Sequence, residues 1–110
     1  MTPQEIADRY FAAMVQQDLE ALLALFAEGA TIVWPDGREI TGKAAIREAY
    51  LAMFTRPTNN PAPGPLMVGP ECFSTQVLSR LPDGRERRTL NVFRLGANAL
   101  VARMDSYKQG

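Results

Sequence analysis

Histidine is absent from this chain, and that absence removes more chemistry than any single residue adds. Without an imidazole there is no Ser-His-Asp relay, no His-Asp acid–base pair and no histidine-based metal site. Cysteine occurs once, as Cys72, which excludes an internal disulfide and a thiolate zinc site. A single thiol fits a reducing compartment, so a cytoplasmic location is expected. Net charge is also missing. The 12 basic residues balance 12 acidic ones, leaving no electrostatic footprint for nucleic acid or an anionic membrane. The basic run Arg85, Arg87 and Arg88 is offset by Asp83 and Glu86 and reads as a solvated hairpin face. No apolar run approaches about 18 residues, so no membrane span is expected. The opening MTPQEIADRY is too polar for a signal peptide. No acidic loop of the EF-hand type occurs, and neither a metal nor a cofactor is expected.

What is present suits one domain, residues 1–110, with a single core; hydrophobic residues make up 46% of the chain, enough to fill one. Thr2-Pro3-Gln4-Glu5 is a helix start, with Thr2 as cap, Pro3 at the first helical position and Glu5 closing a capping box. Ile6, Tyr10, Ala13, Met14 and Gln17 then share one face, which turns Tyr10 toward the core. Asp18 caps a second helix carrying Leu19, Leu22, Leu23 and Phe26, with Gly29 as its stop. Residues 30–34 form a short strand of good strand formers ending in Trp34. Pro35-Asp36-Gly37 turns the chain into a second strand, residues 38–41. Gly42 opens a third helix, from Lys43 to about Thr55, with Ile46, Tyr50, Met53 and Phe54 as its buried stripe.

Residues 56–70 are rich in proline, at positions 57, 61, 63, 65 and 70, which predicts a connecting loop, or a rim over a cavity, holding at most a short strand at Leu66–Val68. A meander follows: residues 71–81, a turn at Pro82-Asp83-Gly84, residues 85–95, a turn at Gly96-Ala97-Asn98, and residues 99–107. Alternation puts Asn91, Phe93 and Leu95 on one face and Val92 and Arg94 on the other. In the last strand Leu100, Ala102 and Met104 oppose Val101, Arg103, Asp105 and Tyr107. Helices first and antiparallel strands after define an α+β domain, with three N-terminal helices packed on a curved sheet.

The segments RYFAAMVQQDLEALLALFAEGATIVWPDG, GKAAIREAY and TLNVFRL resemble the nuclear transport factor 2-like superfamily, and within it the ketosteroid isomerase-like and SnoaL-like proteins. The resemblance implies a cone-shaped α+β fold around a pocket, and a homodimer. It does not imply a reaction, because this superfamily hosts several chemistries and non-enzymatic binders. Ketosteroid isomerase uses an aspartate base, with a tyrosine and a protonated aspartic acid donating hydrogen bonds to the oxyanion. Carried over by position, the tyrosine falls on Tyr10, its supporting tyrosine on Tyr50 and the acid donor on Asn91. The base falls on Trp34, whose indole is a donor only, so the isomerase mechanism cannot run from that position. The Asp-Arg-Asp set of the superfamily's epoxide hydrolases is missing around Asn91, and its His-Asp cyclases and dehydratases need a histidine.

Tyr10 and Asn91 therefore remain as candidate catalytic hydrogen-bond donors. Met14, Phe26, Trp34, Tyr50, Met53, Phe54, Phe73, Phe93 and Met104 are candidate ligand-binding residues, since aromatic and methionine side chains suit a flat apolar molecule. Of the two acids considered as replacements for the missing base, Asp36 reads as a turn residue and Asp105 falls on the far face of its strand. Two functions are expected. One is a protein that binds a small apolar or aromatic ligand, with isomerase- or cyclase-like chemistry assisted by the donor pair. The other is a non-catalytic dimeric interaction module whose cone is filled by side chains.

Overall fold

In the computed structural model, which describes residues 1–57 and 59–109, three helices cover one side of a six-stranded open sheet. Helix α1 (Pro3–Gln16) begins with the capping box expected at Thr2 and Glu5. It ends at Gln17, a left-handed residue with φ 56°. Helix α2 (Leu19–Leu23) is capped by Asp18, whose carboxylate accepts from the Ala21 N–H. It is shorter than the leucine spacing suggests. Strand β1 (Phe26–Val33) already starts at Phe26, so Gly29 lies within a strand and does not stop a helix. The change is local: Leu25 donates to Leu22 and its carbonyl accepts from Val101, so pairing with the last strand captures the chain there.

Strand β2 (Glu39–Thr41) pairs antiparallel with β1, and Gly42, at φ 96°, leads into α3 (Lys43–Phe54). The proline-rich stretch is the main departure from expectation. Residues 61–69 form a full strand, β3 (Pro61–Gly69), and not a loop with a short insert. Its position explains the prolines. The strand lies at the sheet edge, where a missing N–H costs no pairing on the open side. A bulge between Pro63 and Leu66 absorbs the Gly64-Pro65 pair, and the Thr75 hydroxyl donates to the Gly64 carbonyl there. Thr58, in the same stretch, lies outside the described residues.

Strands β4 (Cys72–Arg80), β5 (Glu86–Leu95) and β6 (Val101–Lys108) complete the meander. The sheet order is β2-β1-β6-β5-β4-β3, and β1 runs parallel to β6 while every other pair is antiparallel. The sheet is thus mixed, not wholly antiparallel. A bulge between Arg94 and Leu95 sets Val101 opposite Leu95, which brings Val101 onto the inner face and buries it. Simple alternation had put it on the outer one. The core between helices and sheet holds Ile6, Tyr10, Leu22, Phe26, Ile32, Ile46, Tyr50, Phe73, Phe93 and Met104. Phe73 and Phe93, direct cross-strand partners, stack at 4.7 Å.

Candidate functional site

One end of this core is not filled. A cavity of about 770 Å³ opens between α1, α3 and the inner face of β4–β6. Tyr10 and Met14 reach it from one helix, Met53 and Phe54 from the other, and Asn91 and Met104 from the sheet. Trp34, just beyond β1, forms a side wall. Its ring meets the edge of Tyr50 at 5.6 Å, and open volume remains beside it, so the indole borders the cavity without closing it. Tyr50 stands behind this wall, fully buried. Phe26, Phe73 and Phe93 pack in the core and do not line the cavity.

The polar groups buried between the helices and the inner sheet face are neutral. The Tyr10 and Tyr50 hydroxyls are 2.9 Å apart, and either can donate. Burial raises the Tyr10 hydroxyl pKa to about 12, partly opposed by the Tyr50 hydrogen bond, and burial likewise pushes Tyr50 well above the usual phenol range. Both stay protonated at neutral pH. The Tyr10 ring packs edge-on against Phe93 at 5.2 Å, two residues along the same face from Asn91. The Ser106 hydroxyl donates to Asn91 Oδ1 over 2.7 Å. With its carbonyl oxygen engaged by Ser106, the amide keeps its NH₂ group as a donor. Ser79, Thr89 and Ser106 add hydroxyls on the same wall.

Both candidate replacement acids are committed elsewhere. Asp105 sits on the outer face and pairs through both oxygens with Arg103, at 3.0 and 3.1 Å. Asp36 does border the cavity, but in a turn that recurs. Pro35-Asp36-Gly37-Arg38 and Pro82-Asp83-Gly84-Arg85 have the same sequence and the same geometry. Each glycine takes a positive φ, 89° and 88°, and donates to the carbonyl of Trp34 or Leu81. Each aspartate accepts from the arginine backbone N–H at 3.0 Å and from its Nε–H at 2.7 or 2.6 Å. The Arg38 backbone N–H, and then its guanidinium, hold Asp36 below the usual carboxylate range, as Arg85 does for Asp83. A depressed carboxylate is a poor proton acceptor.

The sequence reading missed the rest of the lining. Arg87 read as part of a solvated hairpin, but it shares the inward register of Thr89 and Asn91 and borders the mouth. Counting back in twos from Asn91 would have found both, and counting on from Met104 would have found Ser106. Arg56 and Gln17 reach the mouth from helix ends, which no periodicity marks. Gln17 Nε2 donates to the Arg56 carbonyl at 2.7 Å and ties these ends together. No cluster of acidic or cysteine side chains able to hold a metal occurs among the described residues.

The SnoaL-like domain family matches residues 7–104, and the chain belongs to it. Solved structures agree on the fold. The epoxide hydrolase/cyclase-like enzyme SalBIII, with a role in pyran ring formation in the polyether salinomycin, is 24% identical at a TM-score of 0.80, over 96% of this chain and 89% of that one. A Sinorhizobium meliloti protein, provisionally assigned as a polyketide cyclase, is 23% identical at a TM-score of 0.79, over 93% of each chain. A Kribbella flavida protein, provisionally assigned as a ketosteroid isomerase, is 20% identical at 0.78, over 96% of this chain and 76% of that one.

Proposed function

We propose that this protein binds a small apolar molecule carrying a carbonyl, hydroxyl or ether oxygen, and that it acts on this molecule by hydrogen-bond polarisation. The observation that carries the reading is the open cavity, bordered by Tyr10 from α1 and by Asn91 from the facing sheet, with each side chain held by a buried hydrogen bond. In this reading Tyr50 donates to Tyr10, Tyr10 donates to the ligand oxygen, and the Asn91 NH₂ supplies a second donor. Such a pair stabilises charge developing on oxygen, as in ring closure. The aromatic and methionine lining suits a flat body, and Trp34 offers a face to stack on. The cyclase assignments of two structural neighbours point the same way.

The test is a thermal-shift screen with steroids, polyketide-like aromatics and terpenoids, followed by titration of Trp34 emission. A saturable ligand whose turnover falls by about two orders of magnitude in Tyr10→Phe is the expected result. A screen that returns no saturable ligand from any of the three classes would sink the reading.

A second reading, an interaction module, draws on the outer sheet face. Leu90 and Tyr107 lie side by side in register there, next to Val92, and Tyr107 is exposed. We propose that this face joins two copies into a homodimer, and sedimentation showing only monomer at high concentration would count against it. A cytoplasmic location belongs to the same proposal and rests on the single cysteine.

A further inference from the structure

We infer that the ligand is an amphiphile: an apolar body in the cavity with an anionic oxygen group, of the carboxylate class, at its mouth between Arg56 and Arg87. This rests on the cavity being a ligand pocket. The chain as a whole is neutral, but the charges bordering the cavity are not. They are Asp36, Arg38, Arg56 and Arg87. Asp36 and Arg38 neutralise each other in their turn at 2.7 Å. Arg56 and Arg87 make no ion pair among the described residues, so the mouth carries two uncompensated guanidinium groups. Arg56 follows the C-terminal end of α3, where it also offsets the partial negative charge of the helix carbonyls. Arg87 has no such partner: it stands on the inner face of β5, directly across from the buried Ser79. Arg87 shares the inner-face register of Thr89 and Asn91, so the strand face that borders the cavity also carries its guanidinium donors. The interior beyond it offers hydroxyls, an amide and apolar side chains but no further charge, so the charged end of a ligand stays at the rim. Arginine forks match the planar geometry of a carboxylate.

The test compares 1-pyrenebutyric acid with its methyl ester, which share a flat apolar body and differ in charge. Fluorescence titration at neutral pH and low salt gives both affinities. The acid is expected to bind about tenfold or more tightly than the ester. The double variant R56A/R87A should abolish that preference, with ester affinity falling at most a few-fold through lost stem contact, and added salt should weaken the acid alone. Both arginines are exposed, so these variants should fold, and R87M repeats the test with the aliphatic stem kept. Equal affinity for acid and ester, or a preference that survives R56A/R87A, overturns the anion site while leaving the pocket standing. If neither compound binds and the ligand screen is also empty, the pocket itself fails and the anion site with it.

Discussion

The Ser106 hydroxyl donates to Asn91 Oδ1 at 2.7 Å, and this contact ties down the carbonyl end of a buried amide that borders the cavity. Asn91 would otherwise be free to turn its carbonyl toward a ligand, making an acceptor of a donor. Ser106→Ala should cost about 1 kcal/mol of stability for the lost bond. It should also weaken binding of carbonyl ligands several-fold, because the amide loses its fixed orientation. Urea denaturation and ligand titration on the same variant measure the two effects. A variant that loses stability but binds unchanged would show that Asn91 is only a sheet residue.

The tyrosine pair makes an alkaline prediction. Tyr10 has its folded pKa raised from 10.0 to about 12, and Tyr50 shifts the same way. The unfolded chain therefore releases these protons first. Their contribution to stability is intact below pH 10 and is lost as pH rises toward 12. Unfolding midpoints should fall across that window, and less steeply in Tyr10→Phe. Equal slopes for the two proteins would mean that Tyr10 ionises in place.

The twin turns supply an internal control for the one acid at the cavity rim. Asp36→Asn and Asp83→Asn remove the same contacts from the same local structure. Both should lower the melting temperature by similar small amounts, and neither should change turnover. A loss of turnover confined to Asp36→Asn would identify Asp36 as the base that Trp34 cannot be.

Trp34 is the only tryptophan, so emission from this protein reports on the cavity wall alone. Ligand binding should change its intensity in proportion to occupancy. Trp34→Phe should abolish that signal while keeping affinity within a few-fold, measured calorimetrically, since a phenyl ring still packs on Tyr50. A collapse of affinity would instead make the indole a principal contact.

Much of the fold was legible because short-range chemistry dictated it. The capping box at Thr2, the N-cap at Asp18, the PDGR turns and the period-two strands all act within a few residues. What failed needed partners far along the chain. Phe26 and Gly29 look like the end of a helix until β6 pairs with β1. The prolines from 61 to 65 deny a strand unless it lies at an edge with β4 on one side. Val101 reverses its facing through a bulge whose cause is its register with Leu95. In the site, Tyr10 and Asn91 could be placed by periodicity, and so could Arg87, had charge not been taken as a sign of plain solvation. Arg56 and Gln17 could not, because helix ends converge only in three dimensions.

The position of β6 orders events in time. It is last in sequence but lies inside the sheet, between β1 and β5. Until it is laid in, the hairpin of β1 and β2 and the ribbon of β3–β5 each present a bare edge, and Met104 and Ser106 have not yet completed the cavity wall. Pairings this distant in sequence form slowly and leave exposed edges while they wait. A folding chain therefore stays sticky and empty-handed until β6 is in place, and a ligand can favour only the finished fold.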